Sequence, residues 1–295
     1  VVVLSADVSN SDHSFMFEEA FPDRFFNVGI AEQSLVDVAV GLAYSGKIPF
    51  ANTFAFLFAT RALEMVRTHL CYGEANVKLM AAYAGVSDSF DGPTHHSITD
   101  VAIMRSLPNM TVVVPSDGVA IDKLLPQVAE WRGPVYFRLN RNDVPVLFND
   151  GYAPVIGKAY QVLPGEDVTI FANGLMLARS LEAAQELAGR GISARVVEVH
   201  TVKPLDVDAV VRAAEETGAI VTAEEHSIVG GLGGAVAEVL SEQYPVPLKR
   251  VGIADRFAET GPYTALLDRY GMAVQDIVAA AGHVVRMKSG SRTKA

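Results

Sequence analysis

Glu32 stands where a carboxylate could do chemistry. It follows the apolar run Arg24-Phe25-Phe26-Asn27-Val28 and the turn Gly29-Ile30-Ala31, and it opens a helical stretch among largely uncharged neighbours. In a dry pocket the pKa of a carboxyl group rises through desolvation, which suits it to hold or move a proton. Position alone says less, because an acid in a first helical turn is stabilised by the macrodipole by roughly 0.3–1 kcal/mol and often does nothing more. Further along lies the densest polar cluster, Phe90-Asp91-Gly92-Pro93-Thr94-His95-His96. Here an acid and two imidazoles flank a Gly-Pro turn. Zinc is disfavoured, since adjacent histidines would need further ligands and no carboxylate or cysteine sits at ligand spacing beside them.

Three other segments carry side chains able to meet a ligand. Phe50-Ala51-Asn52-Thr53-Phe54-Ala55-Phe56-Leu57-Phe58 reads as a core strand running into a helix, and it is dense in aromatic rings. Ser5-Ala6-Asp7-Val8-Ser9-Asn10-Ser11 places an acid and a serine after the first apolar run. Phe137-Arg138-Leu139-Asn140-Arg141 ends a strand on a guanidinium, whose fixed fork suits a phosphate. Taken alone, Arg141 reads more readily as a solvated strand-end charge.

The elements that must position these residues alternate. Val1–Leu4, Phe25–Val28, Val77–Ala82, Thr111–Val114 and Val135–Leu139 read as strands, and Glu32–Tyr44, Leu57–Tyr72, Thr99–Ser106 and Val119–Glu130 as helices between them. Continuous apolar runs in the strands imply a mostly parallel sheet covered on both faces. Pro115-Ser116-Asp117-Gly118 punctuates a helix start, with Ser or Asp as cap. The periodicity stops near Phe148–Pro154, and a second series follows. Its strands are Asp167–Ala172, Ser193–Val199, Ala219–Ala223 and Leu248–Ile253. Its helices are Leu175–Arg190, Asp206–Thr217, Gly233–Tyr244 and Ala273–Ala281. The reading is α/β, two doubly wound domains over residues 1–150 and 155–287, with a frayed tail at 288–295.

The bulk numbers agree. The chain has 295 residues, 24 basic against 34 acidic, and a net charge of −10, which argues against a nucleic-acid surface. A single cysteine, Cys71, excludes an internal disulfide and fits a reducing compartment. No apolar stretch approaches the roughly 20 residues needed to span a bilayer, so the expectation is a soluble cytoplasmic protein. Val1-Val2-Val3-Leu4 reads as a buried strand with nothing before it, which points to a natural chain that begins earlier.

Together, Asn27-Val28-Gly29-Ile30-Ala31-Glu32-Gln33 and Phe90-Asp91-Gly92-Pro93-Thr94-His95-His96 resemble the pyrimidine-binding half of a thiamine diphosphate enzyme, with transketolase the nearest likeness. The resemblance implies that Glu32 hydrogen-bonds the aminopyrimidine of the cofactor and that Phe54 stacks on it. A second stacking ring falls on Phe58, or on Leu57 by direct counting. Asp91 and His95 would meet the sugar's hydroxyls, with His95 facing substrate or cofactor. Asp7 would lie near the cofactor, and Ser11 with Arg141 would hold a substrate phosphate. Tyr83 stands where transketolases commonly place a substrate-binding histidine; a phenol cannot become a cation near neutral pH, so donor or acceptor preference is expected to differ.

The family's other half holds Mg²⁺ on the diphosphate through a Gly-Asp-Gly motif and a later asparagine. The nearest strings here, Ser116-Asp117-Gly118, Phe90-Asp91-Gly92 and Asn149-Asp150-Gly151, lack what should follow. The resemblance therefore implies the C-terminal subunit of a split transketolase, paired with a partner that carries the diphosphate and magnesium domain, in a heterotetramer or larger assembly. Ketol transfer between sugar phosphates is the expected reaction. Two alternatives stand: a β-type subunit of a pyruvate-decarboxylating enzyme or a deoxyxylulose-phosphate synthase-like fragment, and a non-catalytic chain with the same fold. In the second domain, Gly230-Gly231-Leu232-Gly233-Gly234 between strand and helix invites a dinucleotide reading, against which stands the missing Gly-x-Gly-x-x-Gly order. His200 and His226 are expected to be structural or interfacial.

Overall fold

The structure, a computed structural model, describes residues 1–292. The chain opens with β1 (Val2–Ser5), α1 (Ser9–Asp12), α2 (Phe15–Ala20) and β2 (Phe25–Asn27). Then come α3 (Glu32–Tyr44), β3 (Pro49–Phe54), α4 (Ala55–Ala59), α5 (Leu63–Met65), β4 (Lys78–Ala82) and α6 (Asp100–Ser106). β5 (Thr111–Val113), α7 (Gly118–Glu130) and β6 (Val135–Arg138) finish the first half. The second half runs β7 (Tyr160–Leu163), β8 (Val168–Ala172), α8 (Met176–Gly189), β9 (Ala194–Glu198), β10 (Thr201–Lys203) and α9 (Val207–Thr217). It ends with β11 (Ile220–Ser227), α10 (Leu232–Gln243), β12 (Leu248–Ile253), α11 (Tyr263–Arg269) and α12 (Val274–Arg292).

Two sheets result, in the orders β10-β5-β6-β4-β3-β1-β2 and β12-β11-β8-β9-β7. All pairings are parallel except at two edges, β10 on β5 and β7 on β9. Every residue of β4, β6, β8 and β11 is buried, as continuous apolar strands between helical layers must be. Apolar cores fill both faces of each sheet. The one charge inside β4, Lys78, extends its ammonium to the strand's end, donating to Asn76 Oδ1, Trp131 O and Gly133 O. The expected α/β architecture of two mostly parallel domains is what the chain forms.

The edge strands and short helices are what the sequence did not disclose. β7 alternates in burial and is antiparallel, and β10 has only three residues. The helix expected over Leu57–Tyr72 is broken: α4 ends at Ala59, α5 is one turn, and Val66–Tyr72 widens into a π-helical turn. Thr60 is responsible at the break, because its hydroxyl donates to Phe56 O at 2.6 Å and competes with the helical ladder. At the C-terminus, α12 continues through residue 292 where a tail from 288 was expected, and Lys288 Nζ donates to Thr217 O at 2.5 Å. Residues 293–295 of that expected tail lie outside the described residues.

The two halves are stitched together. β10 belongs to the second half by sequence, yet it pairs with β5 of the first sheet, and Val114 N donates to His200 O at 2.7 Å. Arg138, at the end of β6, donates to both oxygens of Asp100 and to the carbonyls of Ser97 and Glu225. Asp117 caps α7 through Ala120 N and also accepts from Leu147 N and Phe148 N, which pins the chain leaving the first sheet.

Candidate active site

Parallel sheets bind ligands beyond the carboxyl ends of their strands. Along that edge of the first sheet the expected residues fall in a row: Glu32 after β2, Asp7 after β1, Phe54 closing β3, Tyr83 after β4 and Arg141 after β6. Four strand spacings at about 4.8 Å make the row roughly 19 Å long, enough for a planar cofactor ring beside an extended sugar.

At one end, Glu32 begins α3 with 1% of its surface exposed. Its two oxygens accept from Arg61 Nη1 at 3.2 and 3.1 Å, while the Arg61 side chain stays half exposed. The break after α4 is what turns Arg61 toward Glu32. The approach to α3 is shaped by Asn27, whose amide donates to Asp7 Oδ1 at 2.8 Å and whose carbonyl accepts from Gly29 N at 2.9 Å. Asp7 has φ +62° and Gly29 φ +75°, so this turn holds backbone that L residues seldom adopt.

At the other end, Tyr83 has φ +61°, an outlier for a bulky residue. Its ring packs against Phe54 (centroids 4.5 Å apart), its hydroxyl donates to Ser11 O at 3.2 Å, and the Arg141 guanidinium lies over its face at 4.7 Å. Arg141 Nη1 also donates to Asp88 Oδ1 at 2.5 Å and to Asp91 Oδ2 at 3.4 Å. Asp88 is fully buried, and burial with the neighbouring Asp91 pushes its carboxyl up to about 7. Asp91 is held below the usual carboxylate range by its bond with Asp88, helped by Arg141 and His95. His95 packs on Phe56 (centroids 5.0 Å) and its Nδ1 lies 3.0 Å from the Thr94 hydroxyl. His96 is buried with neither ring nitrogen partnered, and burial lowers its pKa.

Phe58 needs correction. It is fully excluded from solvent in the core between sheet and helices, and Leu57 is nearly so. The half-buried rings are Phe54 and Phe56, because α4 starts directly at the end of β3 and turns alternate positions inward. Asn27, Phe56, Arg61 and Asp88 were the site residues that sequence reasoning missed. Asn27 lay inside a motif already singled out, and Asp88 was a second acid just before Asp91; Arg61 offered no signal, since a helix break was needed to aim it.

The residues present fit thiamine diphosphate on two observations: a carboxylate excluded from solvent at the head of α3, and half-buried rings at the end of β3. Among the described residues no group of three or more His, Cys, Asp or Glu could hold a metal ion. The glycine-rich loop before α10 is no dinucleotide site. Glu224 takes the helix N-terminus itself, accepting from Leu232 N and Gly233 N, and a Cβ on Gly231 would lie 2.1 Å from Glu224 Oε2. His226 and His200 are buried at the junction of the two halves: Ala102 N donates to His226 Nε2, and His200 Nε2 lies 3.1 Å from Val155 O.

Fold and site together define a pyrimidine-binding domain of the thiamine diphosphate enzymes joined to a second α/β domain. Residues 1–146 match the transketolase pyrimidine-binding domain and residues 157–277 the transketolase C-terminal domain. The chain is 43% identical over 289 residues to the 6-deoxy-6-sulfo-D-fructose transketolase subunit SqwH of Clostridium sp. (strain MSTE9), covering 98% of this chain and 90% of that one. It is 39% identical to an apulose-4-phosphate transketolase subunit of Phocaeicola vulgatus, covering 97% and 92%. A solved structure titled "Split gene transketolase, inactive beta4 tetramer" superposes with a TM-score of 0.91 at 49% identity, covering 97% and 92%. The chain belongs to the transketolase family, whose members depend in general on thiamine diphosphate, and nearly all of it is similar to split-transketolase subunits.

Proposed function

We propose that this chain is the C-terminal subunit of a thiamine diphosphate-dependent transketolase that moves a two-carbon ketol unit from a phosphorylated ketose to an aldose. The buried Glu32 carboxylate at the head of α3, in one row with Asp7, Phe54, Tyr83 and Arg141, is the observation that carries this reading. The cofactor, when bound, supplies the electron sink for breaking and remaking the carbon–carbon bond. This chain's residues do the rest. Glu32 would hold the pyrimidine ring through a proton shared with its carboxylate, Phe54 would give that ring an apolar face, and Asp7 fixes the turn before α3 through Asn27. Asp91, His95 and Tyr83 orient sugar hydroxyls, with His95 able to hand a proton to or from a hydroxyl oxygen. Ser11 and Arg141 meet the sugar's far end.

A partner subunit with the diphosphate and Mg²⁺ domain completes the site, in a cytoplasmic assembly of two chains of each kind. Its support is the likeness to transketolase subunits, among them the relative solved as an inactive beta4 tetramer. Donor and acceptor are open between ordinary pentose phosphates and the sugars named for the relatives, 6-deoxy-6-sulfo-D-fructose and apulose 4-phosphate.

The test uses the natively co-purified complex with thiamine diphosphate, Mg²⁺, ribose 5-phosphate and, in turn, xylulose 5-phosphate and 6-deoxy-6-sulfofructose. Transfer from xylulose 5-phosphate supports the reading, and transfer from the sulfofructose alone keeps ketol transfer but replaces the phosphorylated donor. Consumption of pyruvate with no ketose requirement would replace it with a decarboxylating enzyme, and inactivity of a cofactor-loaded complex toward all of these would make the chain non-catalytic.

A further inference from the structure

Arg141 is not a bare cation. Its Nη1 is engaged by Asp88, fully buried behind it, and by the exposed Asp91, while Nε and Nη2 meet no acceptor among the described residues. The loop that carries Asp88 is tied to the loop that carries Arg141: Ser87 Oγ accepts from Arg141 N, and Ser87 O accepts from Asn142 Nδ2. The guanidinium lies over the Tyr83 ring, and the Arg141 side chain keeps 39% of its surface exposed. Two carboxylates thus share one positive charge at the far end of the row. We propose that Asp88 is a specificity-determining residue: seated behind Arg141, it cancels part of the guanidinium's charge, so this subsite takes a monoanionic or uncharged sugar terminus in preference to a phosphate dianion.

The physical argument is charge balance in a partly dry site. A guanidinium fork binds any tetrahedral anion by geometry, so geometry does not discriminate a phosphate from a sulfonate. Charge does. A phosphate ester carries close to two negative charges near neutral pH, because its second pKa is about 6; a sulfonate carries one at every accessible pH. Each extra negative charge placed beside Arg141 meets the carboxylates of Asp88 and Asp91 as well. Asp88 Oδ2 is buried without a partner, and the neighbouring Asp91 favours a proton on the Asp88 carboxyl. Bringing in a dianion therefore draws a proton onto Asp88, with Arg141 opposing it and Asp91, itself faced by His95, favouring it. Phosphate binding becomes proton-coupled, and sulfonate binding much less so.

The inference rests on the reading of Arg141 as the group that meets the sugar's terminus, and its test does not need turnover. On the cofactor-loaded complex at pH 8, calorimetry gives Kd for D-glucitol 6-phosphate and for 6-deoxy-6-sulfo-D-glucitol, neither of which has a carbonyl to react. The sulfonate is expected to bind about tenfold tighter. Only the phosphate should show proton uptake when buffers of different ionisation enthalpy are compared. Asp88→Asn should narrow the ratio of the two constants threefold or more and remove the proton uptake. Asp91→Asn, at an exposed position, should shift the ratio the same way and decides the matter if the first variant does not assemble. Tighter phosphate binding by the native complex, a ratio changed less than threefold by the deciding variant, or no binding of either ligand overturns the proposal. The ketol-transfer assay succeeds or fails separately.

Discussion

Glu32 and Arg61 form an ion pair across the break after α4, with Arg61 Nη1 3.1 Å from Glu32 Oε2. One member is almost wholly buried and the other half exposed, so the pair's role is to orient a carboxylate more than to stabilise the fold. Removing Glu32 leaves Arg61 free to hydrate. Glu32→Ala should therefore keep assembly and shift thermal stability little. Turnover should fall by about 10²–10⁴, the usual worth of a general acid–base group. Arg61→Met should cost less, about ten- to a hundredfold in kcat, in line with roughly 1.5–3 kcal/mol for a hydrogen bond to a charged group. Retention of most activity by Glu32→Ala would sink the assignment of this acid.

Phe54 and Phe58 separate the two jobs an aromatic can do here. Phe58 is sealed in the core, so Phe58→Ala should destabilise the protein by about 3–5 kcal/mol. Phe54 is half buried at the end of β3 against Tyr83, so Phe54→Ala should leave the unfolding midpoint nearly unchanged. It should weaken thiamine diphosphate binding about tenfold, as the loss of roughly 1.5 kcal/mol of ring packing would. Denaturation and cofactor titration on the two variants give a crossed result if this is right. The same loss from both would mean that neither ring faces the cofactor.

These two rings also show where sequence reading succeeds and stops. Strand and helix order was legible because buried parallel strands are written as unbroken apolar runs, and α3 starts and ends where periodicity placed it, Glu32–Tyr44. Which side chain of Phe54, Phe56, Leu57 and Phe58 faces outward was not legible, since it turns on the residue at which β3 becomes α4. Asp88 was hidden for another reason. An acid close to a glycine turn reads as a solvated loop residue until the fold brings Arg141, from the loop after β6 far along the chain, onto it. β10 was invisible because its three residues gain a ladder only from the other half's sheet.

Gly231 tests the rejected nucleotide reading. Its missing side chain makes room for Glu224 Oε2 and His226 Nδ1, which would lie 2.1 and 2.7 Å from an added Cβ. Gly231→Ala should therefore displace Glu224 from Leu232 N and Gly233 N and leave a buried carboxylate with fewer donors. A stability loss of about 1–3 kcal/mol is expected, the cost of leaving a buried polar group unsatisfied. Nucleotide affinity should be nil in both forms. Dye displacement by NAD from the native protein, lost in the variant, would restore the nucleotide reading.

Glu225 sets the pH dependence at the junction of the two halves. Its carboxylate accepts from Val86 N at 2.8 Å, from Tyr263 Oη at 2.7 Å and from Asn140 Nδ2 at 3.1 Å, joining the two domains. Complete burial is the chief reason its pKa stands at about 7 in place of the ordinary 4.5, with Asp100 adding to the rise and Arg138 opposing it. The folded state thus binds a proton between those values that the unfolded chain does not. Stability from this group is fully present below pH 4.5 and is lost as pH rises through about 7. Asp88, pushed up to about 7, contributes a slope of the same sign. Glu225→Gln keeps an acceptor for Val86 N and cannot ionise. Its thermal midpoint should fall less than the native protein's between pH 5.5 and pH 8, and at pH 8 it should equal or exceed the native value. A native protein whose midpoint rises across that interval, with the variant running parallel to it, would show that Glu225 is ionised throughout and that its burial costs the fold nothing that pH can relieve.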